Sequence, residues 1–181
     1  MTLRDPWMTE PAPKEFTGGI IKDFIAHGLD LAMHLAGSRF CEVSVTGTNL
    51  IFDPSKDFDT VVGTGRLENG ALVAFDCSKS ASYGYDQRME VFGSLGKTSN
   101  APKRIDEAVL ADKDGYRTSV LKEDYQKLFE DAFRDNFRHF VKVLREGVPV
   151  SASLEDARNV LLVSTAAEES THQRKTIDIT Y

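Results

Sequence analysis

One stretch of the sequence groups residue types that can move a proton and hold a hydroxylated molecule: Gly18-Gly19-Ile20-Ile21-Lys22-Asp23-Phe24-Ile25-Ala26-His27-Gly28-Leu29-Asp30. Asp23 and His27 are four apart and Asp30 follows three later, so on a helix all three fall near one face. An imidazole can take a hydroxyl proton at neutral pH, while a carboxylate beside it accepts hydrogen bonds from neighbouring hydroxyls. The same spacing also describes a plain i,i+4 Asp–His pair that adds roughly 0.2–0.5 kcal/mol to a helix. Zinc would need a further ligand, and His34, His139 and His172 are dispersed over three predicted helices, so no metal is expected. Gly18 and Gly19 lack side chains where the helix opens, which lets another backbone or a ligand approach its first turn.

These residues need a helix under them and something behind it. Ile21, Phe24, Ile25, Leu29, Leu31 and Leu35 recur at mostly helical spacing, which predicts a helix over 21–36 stopped by Gly37. Ahead of it, residues 1–17 hold Pro6, Trp7, Pro11 and Pro13 without a period, an extended lead-in expected to lie outside the core. Residues 18–181 read as one domain. Alternating strands follow over 40–50, then over 60–67 and 71–80 around Glu68-Asn69-Gly70, whose Asn-Gly is a strong hairpin signal. Runs at 88–93 and 97–100, and at 107–111 and 116–121, flank two more turns. The last third is helical. Residues 124–145 carry a wide apolar stripe, including Phe129, Phe133, Phe137, Phe140 and Leu144, that must pack on something flat. Gly147 and Pro149 end that helix, Ser153 with Asp156 caps another over 154–172, and 176–180 is a short edge strand. The sum is an α+β fold, an open antiparallel sheet with helices packed on one face. Its uncovered face predicts an interface with a partner domain or a second copy, hence a homo-oligomer.

Length and composition bound the rest. With 181 residues, 41% apolar and 28% charged, the chain suits one well-buried domain. A net charge of −6 with scattered basic residues argues against nucleic acid. No apolar run spans a membrane, the first residues lack a signal stretch, and Cys41 and Cys77 are not expected to pair, which together predict a cytoplasmic protein. A dinucleotide fingerprint is missing: Gly63-Thr64-Gly65-Arg66-Leu67-Glu68 lacks the last glycine and sits in a hairpin strand.

The site segment resembles the Gly-Gly-x-x-x-Asp-x-x-x-His-Asp-x-Asp pattern that opens the C-terminal domain of the Gfo/Idh/MocA oxidoreductases, and the chain is most similar to the myo-inositol 2-dehydrogenase branch. Arg4-Asp5-Pro6 resembles the family's crossover from its nucleotide-binding domain, which makes 1–17 a crossover segment and 18–181 a substrate-binding and oligomerisation domain. Glu68-Asn69-Gly70-Ala71-Leu72 resembles a sheet hairpin of the family, and Tyr83-Gly84-Tyr85-Asp86-Gln87-Arg88-Met89-Glu90-Val91-Phe92-Gly93 matches its inositol dehydrogenase form. The resemblance implies a polyol or sugar substrate and NAD or NADP held by a Rossmann domain, in cis or in trans, near a Lys of a Glu-Lys-Pro motif that this sequence lacks. It implies that His27 accepts the substrate hydroxyl proton, that Asp23 orients hydroxyls, and that Tyr83 and Tyr85 lie near the polyol or at a subunit contact. The chain alone is then expected to bind no cofactor and to be inactive.

One position departs from the pattern. His27 is followed by Gly28 where the family carries Asp. That glycine suits a non-catalytic, stand-alone binding or oligomerisation module derived from the family, a second reading beside the dehydrogenase. An unrelated hydrolase or metal enzyme using Asp23 and His27 is a third.

Overall fold

The computed structural model describes residues 1–5, 14–53, 57–122 and 125–181. Pro6, Trp7, Pro11 and Pro13 of the lead-in lie outside them, as does Asp124 at the start of the long predicted helix. In chain order the elements are β1 (Thr2–Arg4), α1 (Lys14–Thr17), a π-helical turn (Ile20–Ile25), α2 (Ala26–Ala36), β2 (Phe40–Thr48), β3 (Thr60–Leu67), β4 (Leu72–Ser78), β5 (Asp86–Arg88), β6 (Glu90–Gly93), β7 (Gly96–Ser99), β8 (Val109–Asp112), β9 (Gly115–Thr118), α3 (Tyr125–Leu128), α4 (Glu130–Glu146), α5 (Leu154–Gln173) and β10 (Ile177–Asp178).

Six strands form an open sheet in the order β10-β2-β3-β4-β1-β5. Every neighbouring pair is antiparallel except β1 and β4, which run parallel with Leu3 opposite Cys77. The antiparallel expectation therefore holds for the hairpins and gives way at β1. That strand is also no lead-in outside the core: Leu3 is buried, and the Met1 amine donates to the Ala74 carbonyl at 2.7 Å. The pairings β6–β7 and β8–β9 are separate two-stranded ribbons beside the sheet.

Alternation decides the faces. Along β3, Val61, Gly63, Gly65 and Leu67 point inward while Val62, Thr64 and Arg66 are exposed. The inner face meets the π-helical turn, α2 and α5 in one core built from Leu3, Ile20, Ile25, Leu29, Phe40, Val43, Val61, Leu67, Phe75 and Val163. Ala166 and Ala167 keep the buried side of α5 slim, and Ser170 Oγ accepts the Val45 N–H at 2.9 Å, tying that helix to β2. The outer face mixes Val62 and Leu72 with an Arg66–Glu42 ion pair.

The helices start and stop where the sequence marks them. Gly37 and Gly147 close α2 and α4 in the left-handed conformation, and Ser153 and Asp156 form a reciprocal capping box on α5. The helix predicted over 124–145 is broken at Phe129 into α3 and α4. No residue of α4 is buried, and its stripe of Phe133, Phe137, Phe140 and Leu144 is more than half exposed. That stripe lacks the flat partner it calls for among the described residues.

Candidate active site

The helix over 21–36 is two pieces. Its first turn is π-helical, with the Ala26 N–H donating to the Ile21 carbonyl five residues back, and the α-helix proper begins at Ala26. Single π-helical turns are rare and recur at functional sites. Asp23 sits on the π-helical turn and His27 on the first turn of α2, both exposed on the side away from buried Ile20, Ile21 and Ile25.

Both line a cavity of about 730 Å³, together with Leu3, Asp5, Phe24, Tyr85 and Gln87, and with Tyr125, Phe129, Ala132 and Phe133 from α3 and the start of α4. One wall is carboxylate, imidazole and amide; the other is aromatic. A polyol presents such faces, hydroxyls at its rim and C–H bonds on its flat sides, so both walls can be used at once. A second cleft of about 840 Å³ shares His27 and continues along α2 past Asp30 and His34 to Arg39 and Glu68. There Arg39 is forked onto Glu68 at 3.0 and 3.2 Å and stacked on Tyr181 at 4.3 Å. Asp30 thus faces the second cleft rather than the first.

The two tyrosines part company. Tyr85 lines the cavity, edge-on to both Phe24 and Phe129. Burial first, then the nearby Asp5 and Cys77, pushes its phenol up to about 12. Tyr83 is outside the lining residues, half exposed, and donates its hydroxyl to Asp86 at 2.9 Å. Burial and that hydrogen bond raise its phenol above the usual value. Asp5 and Gln87 also line the cavity, and both lie within segments that carry the family resemblance, Arg4-Asp5-Pro6 and Tyr83–Gly93. Residue type alone marked neither.

Gly28 is explained by packing. It is buried between α2 and β1, and a Cβ there would stand 2.0 Å from Met1 Cε and 3.3 Å from Leu3 Cδ1. The missing side chain leaves room for the tip of Met1, and a side chain longer than one methyl would also press on Leu3.

No three His, Cys, Asp or Glu side chains among the described residues stand close enough to hold a metal ion, and Cys41 and Cys77 are free. A dinucleotide pyrophosphate needs open N–H groups at a helix start. At Gly18–Gly19 the Ile20 N–H already donates to the Asp57 carboxylate at 2.6 Å, which would repel an anion. Gly63 and Gly65 lie within β3, where a Cβ would overlap the rings of Phe75 and Phe40. Neither glycine pair fits NAD. Among the described residues no helix is long and apolar enough to cross a membrane.

The GFO/IDH/MocA C-terminal domain model matches residues 1–99. Over 99% of its length the chain is 33% identical to the myo-inositol 2-dehydrogenase of Thermotoga maritima, of which it covers 54%. It superimposes on the crystal structure of a myo-inositol dehydrogenase from Corynebacterium glutamicum with a TM-score of 0.90 at 28% identity, covering 99% of this chain and 55% of that one. Bacillus subtilis supplies a relative named scyllo-inositol 2-dehydrogenase (NAD(+)), 28% identical over 87% of this chain and 48% of its own. The chain spans about half the length of the relatives it matches. It belongs to the GFO/IDH/MocA family and carries that family's C-terminal domain.

Proposed function

We propose that this chain is the substrate side of an NAD(P)-dependent polyol dehydrogenase acting on an inositol or a similar cyclic polyol. The observation that carries the reading is the placement of Asp23 and His27 on one cavity with Tyr85 and Gln87. The 33% identity to a myo-inositol 2-dehydrogenase supports a cyclic polyol as the substrate class. His27 is assigned as the base that takes the hydroxyl proton while the C–H hydrogen leaves as hydride. Asp23 would hold neighbouring hydroxyls and orient the polyol, and the Phe24, Phe129 and Phe133 side would cover its C–H faces and keep water out. The hydride acceptor is an oxidised nicotinamide that this chain does not hold; a nucleotide-binding half, in cis or in trans, presents it. That half also accounts for the bare stripe on α4. Self-assembly through the outer sheet face belongs to the same reading. Gly28 favours the non-catalytic alternative less once its packing against Met1 and Leu3 offers another reason for a glycine there.

The test is a chimera in which this chain replaces the matching 54% of the Thermotoga maritima relative. NADH formation from myo-inositol is followed by absorbance in the chimera and in the chain alone. The expected result is turnover in the chimera, none in the chain alone, and a loss of about 10²–10⁴-fold on His27→Ala at unchanged melting temperature. A folded chimera that binds NAD but oxidises no inositol overturns the reading.

A further inference from the structure

The helix that carries Asp23 and His27 begins without a cap of its own: Gly19 offers no side chain, and the Gly19 N–H is taken by Thr17 Oγ1 at 3.1 Å. The next amide, that of fully buried Ile20, donates to Asp57 Oδ2 at 2.6 Å, from a residue that precedes β3. Asp57 is itself enclosed, with 9% of its side chain exposed, and the nearly buried ammonium of Lys79 stands 4.0 Å from its carboxylate. Asn49 Nδ2 donates to the Asp57 carbonyl, and the Lys79 N–H donates to the Asp59 carbonyl at 2.9 Å, so the backbone is tied on both sides of the pair.

Gly19 is shaped to this contact. It adopts φ 78°, and a Cβ there would fall 2.8–3.0 Å from the carboxylate atoms of Asp57. A carboxylate at a helix start makes a charge-assisted hydrogen bond and complements the positive end of the helix. Withdrawing one member of an enclosed ion pair leaves the other uncompensated, so this pair holds its place as a unit. The Asp23 position is three residues beyond Ile20 and the His27 position seven. Whatever sets the first turn sets where both side chains stand.

We infer that Asp57, backed by Lys79, is a positioning residue for the Asp23/His27 helix: it caps the first turn from a distant loop and fixes the rotation and depth at which the two side chains reach the cavity. The catalytic part of this assignment rests on the proposed dehydrogenase reading; the capping part does not. Asp57 is absent from the residues lining the cavity and acts through the helix alone.

Two double variants isolate the cap from the buried charge. Asp57→Asn with Lys79→Met keeps an acceptor for the Ile20 N–H and removes both charges. Asp57→Ala with Lys79→Met removes the acceptor as well. Hydrogen exchange is measured in this chain. In the alanine pair the amides of 20–24 are expected to exchange about tenfold faster than in the asparagine pair, with β2–β4 unchanged. Equal protection in the two overturns the cap. In the chimera, the alanine pair should lower kcat about tenfold with KM nearly unchanged, and the asparagine pair should restore it. Faster exchange with no change in kcat overturns the positioning role, and an unsubstituted chimera without turnover overturns the dehydrogenase reading while the exchange result stands.

Discussion

The ring of Tyr85 meets that of Phe129 edge-on, with centroids 6.0 Å apart and planes at 88°. Phe24, beside Asp23, meets the other side of Tyr85 at the same distance and angle. This row of three rings links the site helix, the segment before β5 and the break between α3 and α4. Such edge-to-face pairs contribute about 0.5–1.5 kcal/mol beyond the area they bury.

The phenol on this row stays protonated across any working pH, because burial, then Asp5 and Cys77, push it up to about 12. It is therefore a neutral hydrogen-bonding group and not a base. Of the five tyrosines, Tyr85 should be the last to ionise in an ultraviolet alkaline titration, and Tyr85→Phe should delete that final step. The ring row survives in this variant, so its melting temperature should hold. Loss of an earlier step instead would contradict the burial of Tyr85.

Gly28 separates packing from chemistry. Alanine there gains about 1 kcal/mol of helix propensity over glycine, and the end of the Met1 side chain can swing away from a single methyl. Gly28→Ala should thus lie within about 1 kcal/mol of the parent in urea unfolding. Restoring the family's carboxylate by Gly28→Asp buries it against Met1 and Leu3 and should cost more than about 2 kcal/mol. A Gly28→Asp chain as stable as the parent would show that the glycine answers no packing demand.

Much of this architecture is legible locally. The Asn69-Gly70 turn forms with Gly70 at φ 89° and the Ala71 N–H on Asn69 Oδ1 at 3.1 Å, both set by adjacent residues. The stops at Gly37 and Gly147 and the Ser153–Asp156 box are local in the same sense. What escapes the sequence is decided at long range. Leu3 enters the sheet by pairing with Cys77, and three residues of strand carry no alternation to announce it. The cap from Asp57 joins residues 37 apart, so neither end shows a capping pattern. Asp23 and His27 share a face on spacing alone, but Asp5 and Gln87 reach the cavity only once β1 and β5 have paired.

Asp59 gives the fold an acid limit. Its carboxylate is buried, which raises its proton affinity, yet the N–H groups of Phe52, Ile51 and Leu50 and the Thr60 hydroxyl outweigh that and hold it below the ordinary value. A carboxyl depressed on folding adds stability that is present above its unfolded pKa of about 3.9 and is lost as pH falls through the lower folded value. Urea midpoints should therefore decline below about pH 4, and Asp59→Asn should flatten that decline. Because the amide leaves some of these donors unpaired, the variant should also lose about 1–3 kcal/mol at pH 7. An unchanged acid limb in Asp59→Asn would assign the pH dependence to other carboxyls, such as Glu168 between Lys14 and Lys22.

The stripe on α4 makes the sharpest distinction between a domain that stands alone and one built to be covered. Phe137 and Phe140 are 69% and 56% exposed, so placing charges there removes little burial from this chain. Phe137→Asp with Phe140→Asp should shift its unfolding free energy by no more than about 0.5 kcal/mol per site beyond the change in helix propensity. In the chimera the same pair should uncouple the halves: two melting transitions in place of one, and turnover lost although His27 and its cavity are untouched. Light scattering on the chain alone reads the other outcome. If the unsubstituted chain is a dimer that the two aspartates dissociate, the stripe meets a second copy, and the nucleotide-binding half must dock elsewhere.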